Sequence, residues 1–170
     1  HGAEIALWHP KTGGYTFEEL HEIAARSQYV LKGLRIGPGD KVVVRDKLPP
    51  RLYGILLGIF ATGATAVLLD PHLKPEAVSD ALLELDPRIY ITSFSGRLVG
   101  WKIRALRRLP LWLSAKTTVE SSSANLLDLT QVPESTVALM TLTAGENESV
   151  SRAQFTHAEL SETKPASAAG

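Results

Sequence analysis

The sequence predicts an α/β fold, a mostly parallel sheet covered by helices on both faces with flavodoxin-like alternation. Three observations carry this. β-type apolar runs alternate with segments of helical spacing, the order expected of parallel strands joined by right-handed crossovers. The run from Leu52 to Leu69 has no charged residue and is apolar on all sides, as elements are inside a doubly covered sheet. The composition is that of one soluble domain: 170 residues, 44% hydrophobic and 21% charged, with 18 Lys+Arg balancing 18 Asp+Glu. A chain this long buries roughly 70% of its unfolded surface without disulfides or a structural metal. The absence of Cys excludes thiolate zinc and iron–sulfur sites and leans toward a cytoplasmic setting. Zero net charge argues against a dedicated nucleic-acid binder.

The first helix starts at Thr16-Phe17-Glu18-Glu19, a capping box in which the Thr16 hydroxyl accepts from the Glu19 amide and the Glu19 carboxylate reaches back. Its apolar stripe is Phe17, Leu20, Ile23, Ala24, Val30 and Leu31, and Gly33 is expected to end it. Ile36-Gly37-Pro38-Gly39-Asp40 reads as a turn, because Pro fixes φ and Gly allows it to be positive, and Lys41 to Arg45 follows as a strand.

Leu52 to Leu69 reaches the lower length limit for a membrane span and contains Gly54-xxx-Gly58, the spacing of membrane helix pairs. A buried helix and a buried strand are the expected reading. Pro49-Pro50 starts the helix, Gly63 ends it, and Ala64 to Leu69 is a strand closed by Asp70-Pro71, with no transmembrane span. On that reading Leu57→Asp should bury an unpaired charge. Lys74 to Leu85 is helical by spacing, and Asp86-Pro87 leads to a strand at Arg88 to Thr92.

Gly96 to Leu113 interleaves Arg97, Lys102, Arg104, Arg107 and Arg108 with apolar residues, and a surface helix with a solvated basic face is expected. An acidic membrane surface or partner is the alternative. Ser121-Ser122-Ser123 marks a loose connection. Thr136 to Thr143 is a β run, Ala144 to Ser149 a polar turn, and Gln154 to His157 a short return strand. Residues 1–160 form the expected domain, and 161–170 a disordered tail or linker. His9, His21, His72 and His157 have no metal-ligand spacing and are expected to be exposed or hydrogen-bonded. Asp70 is expected to cap its turn.

Four segments, in order, resemble the N-terminal part of the adenylate-forming superfamily of acyl-CoA synthetases and adenylation domains: Tyr15 to Leu20, Gly37 to Val42, Gly58 to Ala64 closing with Leu69-Asp70-Pro71, and Ala138 to His157. Leu69-Asp70-Pro71 and Ser95 to Trp101 most resemble the fatty-acyl enzymes, including the olefin β-lactone synthetases. The resemblance implies an N-terminal subdomain, with ATP, magnesium and coenzyme A as cofactors of intact relatives. It stops before the acyl pocket, the magnesium and ribose ligands and the C-terminal catalytic Lys. No catalytic or metal residue can therefore be assigned to this chain.

In the family the fourth segment holds ATP phosphates and reads Thr-Ser-Gly-Thr-Thr-Gly-x-Pro-Lys-Gly. Thr143, Gly145 and the later Thr156-His157 pair stay in register. Ala144 stands for the Ser, Glu146 and Asn147 for the two Thr, Glu148 for the second Gly, Val150 for the Pro, Ser151 for the Lys and Arg152 for the last Gly. A polyphosphate requires donors, cations and Gly where the backbone approaches it closely. Two carboxylates there oppose it, since like charges ~4 Å apart repel by about 4 kcal/mol at an effective dielectric of 20. Thr143 and Gly145 are thus expected to be the remnant of a phosphate loop that binds no ATP. The expectation is a fatty-acyl-type ligase subdomain, inactive alone, that self-associates or meets a partner covering the missing body. A standalone degenerate module for binding or scaffolding is the alternative.

Overall fold

The structure is a computed structural model and describes residues 4–10, 13–45, 49–70, 72–120, 128, 132–145 and 149–162. It opens with a hairpin absent from the sequence reading: β1 (Ile5–His9) pairs antiparallel with β2 (Gly13–Thr16), where Gly13 takes a φ of +85°. Helix α1 (Phe17–Gly33) begins with the expected capping box. The Glu19 N–H donates to Thr16 Oγ1 at 3.2 Å, and the Thr16 N–H to Glu19 Oε2 at 2.8 Å. Phe17, expected on the buried stripe, is exposed. The reversal that ends α1 falls at Arg35 rather than Gly33, with φ +57°. The Ile36 N–H donates to Leu31 O at 3.0 Å and the Arg35 N–H to Lys32 O at 2.9 Å, a Schellman closure whose apolar clasp is Leu31 and Ile36, both in one core cluster.

Gly39 (φ +87°) makes the following turn, closed by the Asp40 N–H on Gly37 O at 3.1 Å and by the Gly37 N–H on Asp40 Oδ2 at 2.9 Å. Strand β3 (Lys41–Arg45), helix α2 (Pro49–Thr62) and strand β4 (Thr65–Leu69) resolve the apolar run as a buried helix and a buried strand, with Gly63 at φ +78° between them. Among the described residues no helix is long and apolar enough to cross a membrane. The Gly-xxx-Gly pair serves a different contact. A Cβ on Gly54 would overlap Ile23, and one on Gly58 would lie 2.8 Å from the Ala24 carbonyl, so these glycines let α2 lie directly on α1. Ile55 and Ile59 are fully buried, whereas Leu57 is 43% exposed. The expectation that Leu57→Asp buries a charge is therefore corrected: that position faces outward.

Helix α3 (Pro75–Leu85) and strand β5 (Ile89–Thr92) follow as expected. The single basic helix expected over Gly96 to Leu113 is not formed. The segment divides into α4 (Phe94–Gly100), α5 (Arg104–Arg107) and strand β6 (Leu111–Ser114), followed by α6 (Ala115–Glu120). Close packing explains the break. A Cβ on Gly100 would lie 2.7 Å from the Tyr90 ring and 2.9 Å from Trp112. Trp112 stands edge-on to Tyr90, ring centroids 5.1 Å apart, and its Nε1 donates to Leu106 O at 2.9 Å. These contacts hold Leu111 to Ser114 against β5 as a parallel strand.

Strand β7 (Val137–Ala144), strand β8 (Val150–Thr156) and helix α7 (His157–Glu162) complete the described chain. The six-stranded sheet runs β6-β5-β3-β4-β7-β8, parallel except for β8. Strand β7 lies between β4 and β8 and is paired on both sides. β8 is longer than the return strand expected at Gln154 to His157, and α7 takes in Ser161 and Glu162, the first residues of the expected tail. Ser121 to Ser123 and residues 163–170 lie outside the described residues. One core cluster joins Leu31, Ile55, Ile59 and Ala115 on one side of the sheet, and a second joins Val78, Leu82 and Leu106 on the other.

Candidate functional site

The carboxyl ends of β4 and β7 sit side by side, where open α/β sheets place ligands. Thr143 and Gly145, the two residues singled out in the sequence, lie at the end of β7. Thr143 is exposed and pairs with Ser151 across to β8. The Gly145 N–H donates to the Ser149 carbonyl at 2.9 Å, and a Cβ on Gly145 would meet Ser149 Oγ at 2.8 Å. Glu146, Asn147 and Glu148 lie outside the described residues.

Ser151 and Arg152 occupy β8. The Arg152 Nη2 donates to Glu84 Oε2 of α3 at 3.0 Å, an ion pair partly open to water. Ser149 and Arg152 line a cleft of about 280 Å³ with Asp80 and Glu84, so its charged wall is mainly acidic. At the neighbouring β4 end, Asp70 Oδ1 accepts from the His72 N–H at 2.8 Å, which is the turn-capping role expected of it. Among the described residues no group of three His, Asp or Glu side chains could hold a metal ion.

The Thr156-His157 pair closes β8. Thr156 is the N-cap of a second capping box missed in the sequence. Its N–H and hydroxyl donate to Glu159 Oε2 at 2.7 and 3.0 Å, and the Glu159 N–H returns to Thr156 Oγ1 at 3.3 Å. The signal was present, since Thr156-x-x-Glu159 repeats the spacing of Thr16-x-x-Glu19. These hydrogen bonds hold the Glu159 carboxyl below the usual range. His157 departs from the expected exposed or hydrogen-bonded state. Its ring meets Phe60 edge-on at 6.0 Å, its buried Nε2 has no hydrogen-bond partner among the described residues, and burial lowers its pKa.

A profile described as AMP-binding enzyme matches residues 1–169. The chain belongs to the AMP-binding enzyme family. Curated members similar to it include an acetyl-coenzyme A synthetase of Sodalis glossinidius, 27% identical over 96 residues (56% of this chain and 14% of that protein). An olefin beta-lactone synthetase of Xanthomonas campestris is 31% identical over 87 residues (47% of this chain and 16% of that protein). Among solved AMP-binding folds, a benzoate CoA ligase from Burkholderia xenovorans superposes with a TM-score of 0.76 at 18% identity, covering 92% of this chain and 32% of that one. The Mycobacterium tuberculosis fatty acyl CoA synthetase gives 0.73 at 22% identity, covering 87% and 30%. The chain thus spans about a third of these solved enzymes, and its fold is that of their N-terminal region.

Proposed function

We propose that this chain is the N-terminal subdomain of a fatty-acyl-type AMP-forming ligase, inactive in acyl adenylation on its own. The observation that carries the inactivity is at the paired ends of β7 and β8. The position that matches the family's Lys is Ser151, paired across the ladder with Thr143, and the adjacent cation, Arg152, is committed to Glu84. The Gly145 amide, a donor suited to a phosphate oxygen, is already used on Ser149. The described residues there do not fit a triphosphate, so no step through ATP, magnesium or coenzyme A is assigned to them. A fatty-acyl substrate for the intact protein is supported by Leu69-Asp70-Pro71, by Ser95 to Trp101 and by the similarity to the olefin beta-lactone and fatty acyl CoA synthetases. The same reading takes the location as cytoplasmic and the partner as whatever supplies the missing body. The test is ATP–pyrophosphate exchange by this chain with magnesium and a panel of fatty acids. Exchange at the no-protein level is expected, and exchange clearly above it refutes the proposal. A second reading, a standalone binding or scaffold module, is favoured by one observation: β8 covers the outer edge of β7 within the chain itself.

A further inference from the structure

Helix α4 rests on the sheet through its two glycines, Gly96 against Thr92 and Gly100 against Tyr90 and Trp112. At 100° per residue the opposite side presents Phe94, Leu98 and Trp101 within one arc of roughly 60°. These three are 82%, 66% and 71% exposed, the highest values among the exposed large apolar side chains of the described residues. The segment that carries them holds charge of one sign. Between Asp86 and Glu120 there is no acidic residue, in a chain whose charges balance as a whole. Of the cations there, Arg88 pairs with Asp40 and Lys116 with Glu120. Arg97, Lys102, Arg104, Arg107 and Arg108 are exposed and make no ion pair among the described residues.

We propose that α4 and α5 form a docking face for the surface of an anionic lipid bilayer. Exposed aromatic and aliphatic side chains in one segment with exposed Lys and Arg match such an interface, where the rings enter the headgroup boundary and the cations meet lipid phosphates and carboxylates. A purely polyanionic partner makes no use of the Leu98 and Phe94 surface, so the apolar row is what selects lipid. Helix α4 lies over β5 and β6, while β7 and β8 lie at the other edge of the sheet, away from a membrane docked there.

Flotation of the full chain with extruded vesicles tests this. At low ionic strength, binding is expected to phosphatidylcholine vesicles carrying 30% phosphatidylserine and to be at least tenfold weaker to phosphatidylcholine alone. Removing two cations (Arg107→Ala with Arg108→Ala) should weaken it by about twenty-five fold, taking roughly fivefold for each cation near a charged surface. The triple change Phe94→Ser, Leu98→Ser and Trp101→Ser should abolish flotation while leaving the far-ultraviolet circular dichroism and thermal transition intact, since all three side chains already face water. No flotation with anionic vesicles, equal flotation with both compositions, or full binding by a folded triple variant would each overturn the proposal. In the last case, equally tight binding to polyglutamate would identify an acidic protein segment as the occupant.

Discussion

Replacing Gly58 with alanine tests the reading that the Gly-xxx-Gly pair exists to seat α2 on α1. The new Cβ would lie 2.8 Å from the Ala24 carbonyl oxygen and 2.6 Å from Ser27 Cβ. Reaching ordinary contact with that oxygen requires the helices to separate by about 0.6 Å, and the obstructing atom is backbone, which cannot rotate away. Overpacking of this kind costs about 1–3 kcal/mol. Alanine recovers up to ~1 kcal/mol through helix propensity. A net loss of about 1–2 kcal/mol is expected, lowering Tm by roughly 2–8 °C for a chain of this size. Gly33→Ala is the matched control, because nothing lies within 4 Å of its added Cβ, and it should gain about 0.5 kcal/mol. Thermal and urea denaturation followed at 222 nm read both. A Gly58→Ala protein as stable as the parent, or a Gly33→Ala protein that loses as much, refutes the reasoning.

Arg35→Gly should stabilise the chain by about 1 kcal/mol, read from the urea midpoint, because it removes a side chain from a left-handed position and keeps the Arg35 carbonyl that accepts from Arg88. His157→Leu should matter more in acid. Burial holds the folded-state pKa of His157 below its ordinary value, so as pH falls through about 6.5 the unfolded chain takes up the proton first and stability drops. The leucine variant escapes that loss, and its urea midpoint relative to the parent should be higher at pH 5 than at pH 7.5; the same difference at both pH values would contradict this.

The parallel centre was legible in the sequence because its signals are local. Thr16 and Glu19 cap a helix within one turn, and Gly37-Pro38-Gly39 encodes its own turn. What escaped depends on partners distant in sequence. Gly33 was a plausible stop, yet the Leu31–Ile36 clasp placed the reversal at Arg35. The pattern of Arg97 to Leu109 resembles one helix until Tyr90 and Trp112 crowd Gly100. β8 shows little alternation because most of its residues are exposed, so only its last residues read as a strand. At the candidate site the sequence supplied the positions of Thr143 and Gly145. It could not supply the Arg152–Glu84 pair, which joins residues 68 apart.

The strand order also sets a schedule for synthesis. β3 and β4 can pair as soon as Leu69 has left the ribosome, but the other edge of β4 waits for β7, which begins at Val137. At about 5–20 residues per second that wait lasts roughly 3–14 s. Throughout it an apolar central strand has one side unpaired, which makes the nascent chain vulnerable to association, or dependent on a chaperone, while the stretch between β4 and β7 is being translated.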